Sequence, residues 1–336
     1  MADRPGGWLP LAGTGLTVPA YADFLAKEYL GDYLRSGGAA VRFVVCGDAA
    51  VADRWHAALA RAAEAEGYLR VGVSAADTRV HLVDQIWLAL ARAVSWPTLA
   101  DRALAAAWTA ADLPPAPTGD LTVAAVAAHH GVDAGEAARS VRRRLEHAIL
   151  HQARLAREFR LALLRLCQAQ LGTGEVTESE RDAVLAWLRG EPVSLRALRS
   201  ASLFSRIGRH NARAMLVSLA GWQASTTGTG FVLDLDLQRL AETHRPPPEQ
   251  RTGHYYTRAA VLDAYEVLRQ LIDATDQLRG VLVAVTLPVA LLTDEQRGLP
   301  AYSALHLRVV DEVRDRRRAN PYAALVRLET RMEAVP

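Results

Sequence analysis

Residues 41–55 read VRFVVCGDAAVADRW. The first six are apolar apart from Arg42 and rich in β-branched residues, as in a short buried strand, and Gly47 ends the run. From residue 53 to 66 apolar positions recur at helical spacing, so the stretch predicts strand, short loop and helix. A phosphate-binding loop occurs in this setting: glycines let the backbone amides curl around phosphate, a lysine neutralises it and a hydroxyl holds magnesium. Aligning Gly47 with the first glycine of G-x-x-x-x-G-K-[ST] puts Ala52 at the second glycine, Asp53 at the lysine and Arg54 at the hydroxyl. The flanks fit and the chemistry does not, because an aspartate repels the phosphates that a lysine attracts. Of the 39 basic residues only Lys27 is lysine, and it precedes the strand in a helical segment without a glycine-rich loop. Arg54 is a poor substitute, since a guanidinium does not reproduce a compact ammonium at so crowded a place.

Working outward, residues 20–35 show helical periodicity and stop at Ser36-Gly37-Gly38. LRVGVSA is a second strand candidate and residues 81–94 are helical, an order that predicts parallel strands joined by crossover helices. LPPAPTG at 113–119 breaks the pattern. Helical periodicity then fills 122–172, 178–189 and 209–222 before the strand candidates FVLDLD and GVLVAVTL, with a helix around 258–278 between them. The proline run at 246–248 marks an exposed loop. The expected organisation is residues 1–112 as the first part of an α/β domain, 113–208 as a mainly helical insertion, and 209–336 as the second part with a C-terminal helical segment.

A hydrolytic site usually needs a second motif, an apolar strand ending in two acids, the first for magnesium and the second to orient water. FVLDLDLQRL supplies Asp234 and Asp236, and if Asp236 is the magnesium position then Leu237 stands where the second acid belongs. The alternative is that Asp236 merely ends a strand and Asp234 caps or pairs locally. Both halves of the apparatus thus depart from the hydrolytic pattern.

The bulk properties set wider limits. At 336 residues, half of them hydrophobic, the chain can bury a sizeable core, and a net charge of +2 does not suit a protein that coats nucleic acid. No apolar run approaches the ~18 residues of a membrane span, and MADRPGGWLPLAG lacks the order of a signal peptide, so a cytoplasmic protein without a membrane partner is expected. Cys46 and Cys167 are expected as buried thiols. Arginine stands almost everywhere for lysine, which with the alanine richness suggests GC-rich coding and weakens any meaning of arginine clusters.

Two further patterns bear on function. Residues 122–146 have the helix, Gly131-centred turn and helix of a helix-turn-helix, with Arg139, Arg142, Arg143 and Arg144 available for DNA backbone contacts; an ordinary helical hairpin is the alternative. His129-His130 and the i,i+4 pair His147 and His151 could suggest a metal site, but no H-E-x-x-H pattern accompanies them, and no metal is expected.

The stretches YLGDYLRSGGAAVRFVVCGDAAVADRW, WLRGEPVSLRALR, IGRHNARAMLVSLAGW, YYTRAAVLDAYEVLRQLIDATDQLRGVLVAV and TDEQRGLPAYSALHLRVVDEV resemble a P-loop ATPase family of bacterial phage-defence islands, the ATP-binding proteins of BREX-type systems (the BrxD-like group). The resemblance runs from about residue 20 to about 328. It implies an AAA+-like P-loop three-layer α/β fold with a parallel sheet and a large helical insertion, working in a multi-protein defence complex on foreign DNA. The family pattern would put lysine, threonine and histidine at the positions of Asp53, Arg54 and Trp55, and an acid at Leu237. By the same resemblance, Thr286 lies near a polar sensor position, and Arg308 or Arg314 could reach towards a neighbour's site. The joint expectation is a pseudo-ATPase whose Gly47, Asp53, Arg54 and Asp236 mark a vestigial nucleotide site. It would need no cofactor, with weak or structural ATP or ADP binding as the alternative. Its partners would be protein subunits of a defence complex, including an active P-loop ATPase, with DNA bound directly or through the complex.

Overall fold

The computed structural model describes residues 16–115, 119–245, 247–250, 252–310 and 319–329. The chain divides into two compact units, one formed by residues 1–86 with 229–336 and the other by Trp87–Gly228.

The described residues of the first unit form six strands: β1 (Leu16–Thr17), β2 (Ala39–Cys46), β3 (Leu69–Ser74), β4 (Phe231–Asp236), β5 (Val281–Pro288) and β6 (Leu325–Glu329). They form one all-parallel sheet in the order β1-β6-β2-β5-β4-β3. The central strands β2, β4 and β5 are buried almost throughout, as an all-parallel sheet covered on both faces requires, which is why they are legible as continuous apolar runs. At the edge, β3 alternates buried with exposed positions.

One face carries the helices Val18–Phe24 and Ala49–Ala65, packed on Val44, Cys46, Val232, Leu282, Ala284, Val326 and Leu328. The helix Arg258–Asp273 packs against β2 and against the helix Ser303–Val309. Strands β4 and β5 are each entered through a glycine: a Cβ on Gly230 would lie 1.9 Å from the Gly280 carbonyl oxygen, and Gly280 itself adopts the left-handed φ of 64°. The fold is therefore α/β with a parallel sheet, as expected.

The local differences have physical causes. The helix expected over 20–35 is α-helical only over Val18–Phe24 and widens to a π-helix over Leu25–Tyr33, where Phe24, Tyr29 and Tyr33 pack edge to face. Strands β1 and β6 escape sequence reading, the first because two residues carry no period and the second because its five are only half buried. The helix after Thr257 ends at Asp273 rather than at 278.

The second unit is helical. Its helices are Trp96–Ala110, Val123–His130, Ala134–Leu150, Arg157–Gln170, Glu178–Arg189, Leu195–Ser200 and Ala212–Thr227. Trp87, Trp96 and Phe159 pack in sequence, tilted and then edge to face, at ring-centroid distances of 6.2 and 6.3 Å, and the indole nitrogens of Trp96, Trp108 and Trp187 donate to the carbonyls of Ala91, Leu121 and Ser205. Cα packing draws this unit from Trp87 to Gly228.

Candidate functional site

In a parallel sheet, ligands bind beyond the carboxyl ends of the strands, where neighbouring strands send their connections in opposite directions. Here that place lies between β2 and β5. The chain leaves β2 for β3 on one side of the sheet and leaves β5 for β6 on the other. Gly47, Pro288, Asp236 and Thr286 stand at this edge.

The loop itself differs from the expectation. A phosphate loop would occupy 47–54, with the helix starting near 53; the helix starts at Ala49, and only Gly47 and Asp48 separate it from β2. Asp48 is an N-cap residue, extended at φ −151° and ψ 174°, and its Oδ1 accepts from the Val51 amide at 2.8 Å. The following AAVADRW contains no glycine to interrupt the helix, and alanine has the highest helix propensity. Asp53 and Arg54, aligned with the phosphate-binding positions, are exposed side chains on the first turns of this helix. The free amides of a helix N-terminus are what attracts anions, and here the protein's own carboxylate already occupies that of Val51 and sets a negative charge beside the others.

At the end of β4, Asp236 is half-buried, and its Oδ1 accepts from the Gln238 amide at 3.0 Å, closing a local turn. Leu237 is buried and donates its amide to the Thr286 carbonyl at 2.9 Å. The Thr286 hydroxyl is fully buried and has no hydrogen-bond partner among the described residues.

Sequence reading missed the strongest electrostatic feature of this face. Asp234, buried within β4, receives the Arg70 guanidinium through Nη2 at 2.5 Å and Nε at 3.2 Å, and His56 Nδ1 lies 2.9 Å from both of its oxygens. The topology makes this possible. Asp234 is in register with Gly72, and Arg70, two residues before, folds back over that glycine, which presents no side chain in the way. His56 stands on the Ala49–Ala65 helix beside Trp55, at the margin of its buried side. Burial of the imidazole disfavours its charge, but the hydrogen bond and negative charge of Asp234 outweigh this and hold His56 above its ordinary range. The first crossover helix is thus latched to β3 and β4 through a buried carboxylate that two partly exposed cationic side chains reach. Two signals in the sequence pointed here: an aspartate inside an apolar strand demands a partner, and a histidine lies beside the inward positions of the helix.

The other candidates lie apart from this edge. Arg308 forms an ion pair with Asp273, at 2.7 Å, and donates to the Ala304 carbonyl at 2.6 Å; Arg314 lies outside the described residues. A cavity of about 380 Å³ opens at the amino end of β2, the opposite end from Gly47, lined among others by Tyr29, Tyr33, Arg42, Arg308 and Tyr322. The Arg42 guanidinium sits over the Tyr29 ring at 4.7 Å. Cys46 and Cys167 are buried free thiols, and burial pushes Cys46 up to about 12, which makes it inert.

In the helical unit, Val123–His130 and Ala134–Leu150 are joined by Gly131-Val132-Asp133, with Gly131 in the left-handed region at φ 64°. Arg139, Arg143 and Arg144 are exposed, whereas Arg142 is ion-paired with Glu175 at 2.6 Å. His147 and His151 stack at 4.9 Å on the exposed side, and no cluster of three metal-ligating side chains exists among the described residues. No helix among those residues is long and apolar enough to cross a membrane.

A family model described as "BREX system ATP-binding protein BrxC/D" matches residues 120–334, more than half of the chain. The match takes in most of the helical unit and strands β4, β5 and β6, and the segment containing β2 and its loop precedes it. No curated protein and no solved structure matches.

Proposed function

The chain belongs to the BREX system ATP-binding protein BrxC/D family, and from that premise we propose that it is a non-hydrolysing P-loop-like subunit of a phage-defence complex, scaffolding or regulating a partner that hydrolyses ATP. The observation that carries this reading is the onset of the helix at Ala49. A triphosphate needs a run of free amides and a lysine beside them; at this place the Asp48 carboxylate caps the helix, and Asp53 points to solvent. The residues present do not fit a magnesium nucleotide. Leu237, buried where a second acid would orient water, supports the same reading from the neighbouring strand.

What the residues do instead is hold. In an active P-loop protein, bound nucleotide ties the crossover helix to the strand ends and its loss lets them move. In this chain the His56–Asp234–Arg70 cluster ties the same elements together without a nucleotide. Such a subunit offers a partner a surface that does not change with nucleotide state.

The purified chain, incubated with millimolar magnesium-ATP, is expected to release phosphate no faster than on the order of 0.01 per second, while turnover of about 1 per second would overturn the proposal. Gentle isolation of the tagged protein from its native host, followed by mass spectrometry, is expected to recover an intact P-loop ATPase with it.

A further inference from the structure

We infer that the exposed face of the Ala134–Leu150 helix is a sequence-independent contact surface for the phosphate backbone of duplex nucleic acid. The inference rests on the charge and geometry of this helix and is independent of the reading of the β2 loop. The helix buries Ala137, Val141, Leu145 and Ile149 at i,i+4 spacing. The opposite side therefore presents Arg139, Arg143, His147 and His151 in one row, with Arg144 beside it and Arg154 in the turn beyond, all exposed. Arg139, Arg143 and Arg144 have no ion pair among the described residues, whereas Arg142, on the flank, is neutralised by Glu175.

The row from Arg139 to His151 covers roughly 18 Å at about 1.5 Å per residue, the axial length of about five phosphates on one strand of a duplex. Glu146, half-buried on the flank, and Glu136 in the first turn are the acids of this helix that approach the row.

The same details exclude two other modes. A helix-turn-helix reads bases with the N-terminal residues of its second helix. Here that end carries Asp133 and Glu136, both exposed, with Asp133 Oδ1 engaged by the Glu136 amide at 2.8 Å. Two carboxylates would enter the groove first and be repelled by the flanking phosphates. Single-strand binders need aromatic side chains on which bases stack, and the row contains no Phe, Tyr or Trp. What remains is backbone contact from the side of the helix, with arginines as phosphate partners and histidines as further donors.

The test is fluorescence anisotropy of the full chain with a labelled 30-base-pair duplex of arbitrary sequence, titrated between 50 and 200 mM salt. Four arginine contacts predict a slope of log K against log salt near −3.6, hence about a hundredfold loss over that range. The triple change Arg139→Ala, Arg143→Ala and Arg144→Ala is expected to reduce the slope to about −1 while leaving the melting temperature in place, since these side chains are exposed. Arg142→Ala is expected to leave the slope unchanged, and replacing the duplex sequence is expected to change Kd less than about threefold. Absence of binding, a slope unaffected by the triple change, or tighter binding of the single strand would overturn the inference. So would strong dependence on duplex sequence, or equal competition by poly-glutamate, which would indicate an acidic protein as the partner.

Discussion

Two helices of 17 residues, Ala49–Ala65 and Ala134–Leu150, start the same way, each from an aspartate whose Oδ1 accepts from the amide three residues on at 2.8 Å. They then diverge. The first lies on a parallel sheet, buries Val51, Ala52, Trp55, Ala58, Leu59 and Ala63, and turns its one inward-reaching charge, His56, onto a buried carboxylate. The second buries one residue per turn and leaves Arg139, Arg143 and Arg144 in solvent. The cap decides where a helix begins, and the surroundings decide what its charges are for. In the first helix, the start leaves only Gly47 and Asp48 after β2 and an inward charge becomes a latch; in the second, the same start leaves an open cationic row.

The most severe test of this contrast is Asp234→Ala, which strands Arg70 and His56 without their anion. A loss of about 2 kcal/mol in urea unfolding is expected, less than for a fully buried pair because Arg70 and His56 are partly exposed and water can reach the charge left behind. An unchanged midpoint would mean that the ions do not hold the helix.

His56→Gln sharpens the point, with a smaller loss because Arg70 still faces Asp234. The folded histidine keeps its proton above its ordinary value of 6.5. Its contribution to stability is therefore full below about 6.5 and is lost as pH rises through the folded value. Unfolding measured at pH 6 and pH 8.5 should show the native chain losing more stability over that interval than the variant; parallel losses would detach the latch from the charge on His56.

The likeness of the two starts predicts that Asp48→Ala and Asp133→Ala each cost about 1 kcal/mol, the usual value of an N-cap. A much larger cost at Asp48 would show that the carboxylate does more than begin a helix. The smallest effect is expected from Arg142→Ala. Its pair with Glu175 is about one-third exposed on both sides, and thermal unfolding should change by less than about 0.5 kcal/mol.

Much of the fold was legible because the signals are local. Four strands stand out as apolar runs, three of them entered or left through glycine, and the turn at Gly131 is where its left-handed φ requires it. The β2 loop misled because aligning Gly47 with a known motif overrode a plainer local signal, an aspartate followed by two alanines, which is how helices start. The latch was illegible for a different reason. His56 and Arg70 lie 178 and 164 residues from Asp234, and only the parallel register, with Gly72 opposite the carboxylate, brings them within reach. Asp234 signalled that a partner must exist and could not say which.

Strand β3 has its single neighbour in β4, and the whole helical unit, Trp87–Gly228, is encoded between them. On the ribosome, at about 5–20 residues per second, β3 waits on the order of ten seconds for the strand that covers its edge. During that time Arg70 has no anion to meet. Birth order therefore sets a schedule in which the inserted helices, rich in contacts close along the chain, can mature first and the ionic latch closes late. Arrest of synthesis far enough beyond Gly228 for the insert to leave the ribosome, with β4 still inside it, would yield a nascent chain with a finished insert and an open sheet, the state in which a chaperone or an assembling partner would meet it.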